Sequence, residues 1–285
     1  MNVLLNSPDA YTLIRAKELL REKISALSGN LHRDRPLIRF EIKIHSQSIL
    51  DWPAGQELTP RFFWAEREKQ FRLAGIGAAH SISQNQIDYL LLFHSLRQNL
   101  SEEFPYAHYY GGMAFDSQNL GPEWNDFGAC RFWLPRFEMF QTKAGTFLAC
   151  NLIVNDKNGD PQNFIHPTLN DLELLRVEDS EHSASLPRAL ERSDSPDHEL
   201  WSTLVQEALN AIATGNLEKV VLARKSLLKL DRALNPFLFL KEVEKITKDC
   251  FHFCFQPGNG TAFVGASPER LYRSEEHTSE LQSQR

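Results

Sequence analysis

The chain has 285 residues, 42% of them hydrophobic and 11% aromatic, enough apolar material for a sizeable core in one or two domains. With 31 Lys and Arg against 37 Asp and Glu, the formal charge is −6, and no dense basic block supplies the electrostatic footprint of a nucleic-acid binder. Four cysteines do not suggest a disulfide scaffold, no window approaches the roughly 18 apolar residues of a membrane span, and the N-terminus lacks signal-peptide character, so a soluble cytoplasmic protein is expected.

In chain order, Ser7-Pro8-Asp9 carries the signals of a helix start, and Leu13, Ala16, Leu20, Ile24 and Leu27 follow at helical spacing up to Gly29. After Pro36 the period changes to two. Ile38, Phe40, Ile42 and Ile44 alternate with Arg39, Glu41, Lys43 and His45, which predicts a half-buried strand with one wet face in an antiparallel sheet. Strands are expected at 70–74, 129–134, 137–142 and 146–154, helices at 84–100 and 169–178, and a polar turn at 155–160. Residues 179–198 lose their aromatics and become Ser-, Glu- and Pro-rich, the composition of a linker. Ser195-Pro196-Asp197 then repeats the helix-start signal. Trp201, Leu204, Val205, Ala208, Leu209 and Ile212 form one apolar stripe, closed by Gly215-Asn216. A strand at 219–228, a helix at 236–248 and a strand pair at 250–256 and 261–265 complete the pattern. Strands and helices mix without regular alternation, so the expected class is α+β with antiparallel sheets flanked by helices.

Four stretches carry possible chemistry. Gly75-Ile-Gly-Ala-Ala-His80 begins like a dinucleotide fingerprint but lacks the third glycine and the following helix, so a tight strand end is expected. Cys250, His252 and Cys254 share one face of a strand, yet side chains two residues apart diverge by nearly 7 Å at ~3.3 Å per residue. With no CxxC pair, they read as buried strand residues rather than zinc ligands. Lys219 opens Glu218-Lys-Val-Val-Leu-Ala-Arg-Lys225, beside Val221 and Ala223 on the expected strand. It is either an edge-guarding lysine or a partly desolvated one whose neutral amine serves as a base. Glu269 follows Pro268 after an apolar strand, and is either a turn carboxylate or an acid kept protonated in a closed pocket.

Taken together, "GNLEKVVLARK" after a Trp-led helix, "FHFCFQ" and "FVGASPERLYR" resemble the isochorismate synthases among the chorismate-utilising enzymes. "LAGIGAAH" and "YYGGMAFD" through "FGACRFWLPRFEMF" are similar to the menaquinone-pathway members, so the resemblance covers residues 1–272. It implies the chorismate-binding fold shared with anthranilate and aminodeoxychorismate synthases. It also implies an isomerase that converts chorismate to isochorismate by adding water at C2 and losing the C4 hydroxyl. By the same resemblance Lys219 is the general base on water, Glu269 the general acid on the departing hydroxyl, and magnesium the cofactor holding the substrate carboxylate. The ammonia-using relatives commonly lack this lysine; a siderophore-pathway isochorismate synthase or a salicylate synthase is the enzymatic alternative, and a catalytically dead chorismate-binding fragment the non-enzymatic one.

The expected organisation is an N-terminal α+β region over 1–178, a linker over 179–198, the first part of the chorismate-binding catalytic domain over 199–272, and a tail over 273–285. The resemblance implies further glutamates for magnesium beyond residue 272, so the family fold is expected to be incomplete at the C-terminus. The tail, beginning Arg273-Ser-Glu-Glu-His-Thr-Ser-Glu280, resembles an in-frame translation of a sequencing-library adapter, with a natural disordered terminus as the alternative.

Overall fold

The computed structural model describes residues 10–27, 36–154, 161–177, 185–258 and 260–270. They fall into two compact units, Met1–His182 with Pro236–Arg285, and Ser183–Asn235. The expectations for Ser7–Asp9, Gly29, the polar turn at 155–160 and the tail lie outside the described residues.

The first unit is built on an eight-stranded antiparallel sheet. In chain order its strands are β1 (Leu37–Ile44), β2 (Arg61–Ala65), β3 (Arg72–Gln84), β4 (Tyr110–Met113), β5 (Cys130–Thr142) and β6 (Gly145–Ile153), joined later by β9 (Phe251–Gln256) and β10 (Phe263–Ser267). Their order across the sheet is β1-β6-β5-β3-β2-β9-β10, with β4 pairing the first residues of β5. Two expected strands, 129–134 and 137–142, are one continuous β5, and the strand begun at 70–74 runs on through β3. The mixed α+β class and its antiparallel sheet are therefore as the sequence pattern indicates.

Helices α1 (Leu13–Ser25), α2 (Asp51–Ala54), α4 (Gln162–Leu174) and α6 (Pro236–Ile246) contribute to one core with one face of this sheet. The short α3 (Tyr89–Gln98) is capped by Asp88, whose carboxylate accepts from the Leu91 amide at 3.0 Å. Helix α1 starts at Leu13 rather than near Pro8, because the Thr12 hydroxyl accepts from the Arg15 amide at 3.2 Å and supplies the cap. Its buried stripe is Leu13, Ala16, Leu20 and Ile24, the spacing the sequence shows. Helix α4 begins earlier than expected and carries Pro167 within it; burial of Phe164, Ile165 and Leu172 holds the helix across that residue.

The opposite face is aromatic, with Phe62, Tyr110, Trp133 and Phe140 buried and Trp64, Phe71 and Phe255 packed against them. Here the expectation of a wet face on β1 holds at the exposed Lys43, and at His45 just past its end, but fails at Arg39. Arg39 is buried, with its guanidinium 5.3 Å from the Phe140 ring, and charge pairing accounts for its burial. Its Nη2 donates to Glu138 Oε2 at 2.8 Å, its Nη1 to Asn151 Oδ1 at 2.8 Å and its Nε to Glu41 Oε1 at 2.6 Å. Asn151 Nδ2 in turn donates to Glu138 Oε1 at 2.6 Å and to the Pro135 carbonyl at 2.9 Å. A full set of partners lets these groups leave water.

Gly75–His80 lies inside β3, not at a strand end. A Cβ on Gly75 would stand 2.3 Å from the Phe62 ring on the neighbouring strand, so only glycine lets the two strands close there. Gly77 has φ +64° beside the register shift between Ala78 and His80, a bulge that a side chain would strain.

The second unit pairs β7 (Ala189–Ser195) with β8 (Lys225–Leu230), and α5 (His198–Ala213) connects them. Residues 189–195 of the expected linker are thus strand, while α6, β9 and β10 belong with the first sheet because β9 pairs β2. Asp197 caps α5 by accepting from the Leu200 amide at 2.9 Å, and Gly215 at φ +75° follows its end. The apolar stripe of α5 has no buried member, and Leu227 and Leu228 of β8 are also more than half exposed.

Candidate functional site

Glu269 stands two residues beyond β10. Strands β9 and β10 pair from Phe255↔Phe263 to Phe251↔Ser267, so the chain leaves the sheet at a fixed point. Ser267 Oγ accepts from the Glu269 amide at 3.2 Å, and Arg67 Nη1 donates to the Pro268 carbonyl at 3.1 Å. The Arg270 guanidinium lies 5.3 Å from the Phe251 ring centre. Three contacts therefore hold the backbone around Glu269 while its side chain stays exposed. A closed pocket around its carboxyl, one of the two readings above, is not formed by the described residues.

Lys219 lies in the other unit, in the segment between α5 and β8, and is exposed. The expected strand at 219–228 begins only at Lys225. Its partner strand ends at Ser195, opposite Lys225, and the chain then turns through Pro196 and Asp197 into α5. Lys219 to Arg224 thus run past the end of the ladder. Val220 and Val221 are open too, Val221 at 81% exposure, while Leu222 is half-buried; the partly buried lysine of the second reading is not formed by the described residues. Each residue is positioned by its own unit.

His252 and Cys254 are fully buried on β9 and Cys250 lies just before the strand. His252 Nε2 is hydrogen-bonded to the Thr247 hydroxyl at 2.9 Å. Among the described residues no group of three or more His, Cys, Asp or Glu side chains is placed to hold a metal ion. The described residues therefore form no magnesium site of their own. No described helix is long and apolar enough to cross a membrane.

Two features escape a reading of the sequence. The Arg39–Glu138–Asn151 cluster leaves no local signal, because its members come from β1, β5 and β6. A cavity of about 420 Å³ lies beside Gly111, Gly112 and Arg131, and its signal is visible as paired glycines and a lone arginine among aromatics.

An antiparallel sheet with helices against one face, ending in a Ser-Pro-Glu-Arg turn, defines a class. Residues 22–283 match the family described as chorismate binding enzyme, and the chain belongs to that family. The match continues past the Tyr272–Arg273 junction. Among named relatives, the isochorismate synthase MenF of Haemophilus influenzae is 28% identical over 265 residues, covering 90% of this chain and 54% of that protein. MenF of Bacillus subtilis is 25% identical, covering 92% and 56%. The fold is that of the solved MenF, the menaquinone-specific isochorismate synthase from Escherichia coli. That structure matches with TM-score 0.71 at 23% identity, covering 91% of this chain and 56% of that one. The chain spans about half the length of these relatives.

Proposed function

We propose that this chain belongs to an isochorismate synthase that converts chorismate to isochorismate for menaquinone formation. Family membership over residues 22–283, a span containing both Lys219 and Glu269, carries the reading. In this proposal the Lys219 amine takes a proton from water as its oxygen bonds to C2. Glu269 gives a proton to the C4 hydroxyl, which departs as water while the ring double bonds shift. Protonation matters because hydroxide is a poor leaving group; such acid–base help contributes about 10²–10⁴-fold. The held backbone at Pro268–Glu269 supports the acid's role, since an exposed carboxyl on an ordered turn is available to a substrate. Magnesium would supply charge neutralisation of the substrate carboxylate when bound.

The test uses the protein extended to the length of its relatives, incubated with chorismate and magnesium and analysed for products. Isochorismate is the expected product, and Lys219→Ala and Glu269→Gln are each expected to lower kcat by about 10²-fold or more. Salicylate as the product, or an unchanged kcat in Lys219→Ala, would overturn the assignment.

A further inference from the structure

The cavity of about 420 Å³ in the first unit is within the size range of small-ligand sites. Its walls include Trp124, Phe127, Trp133, Phe255 and Phe263, and its cation is Arg131. The aromatic walls pack on one another: Trp124 meets Phe263 at 5.1 Å and Phe127 at 5.7 Å, ring centre to ring centre, and Trp133 meets Phe255 at 6.4 Å. Thr261 donates a hydrogen bond to Asp126, fastening the Trp124–Phe127 turn to the start of β10. Asp116, also at the cavity, already accepts from Asn119 Nδ2 at 2.6 Å and the Gln118 amide at 2.9 Å. Arg131 Nε is buried with no hydrogen-bond partner among the described residues, as are the Nε atoms of Arg61, Arg72 and Arg136; what sets Arg131 apart is its place on the cavity wall. Arg131 is the one Lys or Arg among the described residues lining the cavity, and a carboxylate held there would pair with its charge.

Gly112 sharpens the picture. It pairs directly with Arg131 across β4 and β5, so a side chain there would stand on the same face as the guanidinium. A Cβ built on Gly112 meets nothing within 4 Å. No described neighbour therefore forbids a larger residue, and the glycine leaves the space beside Arg131 open.

We propose that this cavity binds a small planar ring bearing one carboxylate, with the ring against the aromatic walls and the carboxylate on Arg131. The site is separate from the turn that carries Glu269. The cavity takes in Phe255 and Phe263, which pair at one end of the β9–β10 ladder, whereas Glu269 follows Ser267 at the other. Four strand steps separate Phe263 from Ser267, about 13 Å at ~3.3 Å per residue.

The experiment titrates the protein with benzoate, and with benzyl alcohol as the uncharged control, following tryptophan fluorescence and ligand saturation-transfer NMR. It is run on the 285-residue chain and on the protein at its relatives' length. Saturable benzoate binding is expected in both. Benzyl alcohol, and benzoate with Arg131→Gln, should bind about 10-fold more weakly or worse, the effect of losing one hydrogen bond to a charged group. Gly112→Leu fills the cavity from a position with free space, so it should abolish binding with an unchanged circular dichroism spectrum, and it carries the test if Arg131→Gln does not fold. Equal affinity for the two probes, binding that survives Gly112→Leu, no saturation at millimolar benzoate, or a site present only in the shorter chain would each overturn the proposal.

Discussion

Replacing Glu138 by Ala would remove the carboxylate that holds Arg39 inside the first unit. Both side chains are fully buried, and Glu138 accepts from Arg39 and Asn151 at 2.8 and 2.6 Å. Burial works against the charge on Arg39, but Glu138 and then Glu41 more than offset it, and its pKa lies above the ordinary arginine value. Removing Glu138 takes away most of that offset, but an arginine is not deprotonated in proteins, so the guanidinium stays charged with Glu41 as its remaining carboxylate and an unfilled space beside Nη2. Breaking a buried pair from one side costs about 3–5 kcal/mol, because the remaining charge keeps its desolvation cost without its partner. For a domain of roughly this size each kcal/mol moves Tm by about 2–4 °C, so a fall on the order of 10 °C is expected. Thermal unfolding followed by circular dichroism, with urea unfolding in parallel, measures it. Converting the cluster to apolar residues together, with Arg39→Met, Glu138→Leu and Asn151→Leu, should recover much of the loss. A Glu138→Ala protein within about 1 kcal/mol of the parent would refute charge pairing as the reason Arg39 is buried on β1.

Three further outcomes follow from the same structure. Gly75→Ala forces a Cβ to 2.3 Å from the Phe62 ring and should cost about 1–3 kcal/mol; combining it with Phe62→Leu should restore part of this, and equal stability of the single variant and the parent would contradict the close approach. Of the four thiols, Cys130, Cys150 and Cys254 are buried and burial pushes each upward, Cys150 to about 12, so a thiol reagent should modify only the partly exposed Cys250 quickly in the native chain and all four after denaturation. Burial lowers the pKa values of His80, His108 and His252, so the unfolded chain binds more protons below its histidine pKa of ~6.5. Their contribution is fully present above that value and is lost as pH falls from it towards the folded values; Asp171, raised by burial, opposes this at lower pH. Tm should therefore fall between about pH 7.5 and pH 5.5, less steeply in His252→Gln, and a rise over that interval would reverse the assignment.

How much of the fold and site is legible in the sequence depends on whether the cause is local. The α1 stripe, the Asp197 cap and the β9–β10 pair rest on neighbours in sequence, and the alternation or turn residues announce them. Arg39 defeats the pattern because a single strand cannot tell a charge facing water from a charge facing Glu138, 99 positions away. Gly75 misleads for a similar reason, since its constraint is a ring on another strand. The Val-Val-Leu run beside Lys219 suggests a strand, but a strand needs a partner, and β7 ends opposite Lys225. Family resemblance supplies roles for Lys219 and Glu269 that composition and spacing leave open between structural and chemical readings.

The sheet also predicts which distant substitutions should reach the proposed acid. Glu269 hangs from β10 at one edge of the sheet, and the path to it runs through β3, β2 and β9 by unbroken antiparallel pairing. Gly75 pairs directly with Phe62, and Phe62 with Phe255, so a Cβ at 75 pushes on the ring that also touches the Phe255 ring, 6.1 Å away between centres. Phe255 pairs with Phe263, however, four strand steps from Ser267, so that push arrives at the end of the β9–β10 ladder far from Glu269. The Arg39–Glu138–Asn151 cluster reaches the near end: Arg39 lies on the Phe140 ring, and ring contacts run from Phe140 through Phe71 and Trp64 to Phe251, which pairs with Ser267 and lies against Arg270. Glu138→Ala should therefore lower kcat of the extended enzyme at temperatures where it remains folded, as well as Tm, while Gly75→Ala lowers stability and leaves kcat near the parent's. Turnover and unfolding measured on the same two variants separate these effects; the reverse pattern, with kcat kept in Glu138→Ala and lost in Gly75→Ala, would show that the ring contacts do not transmit position to Glu269.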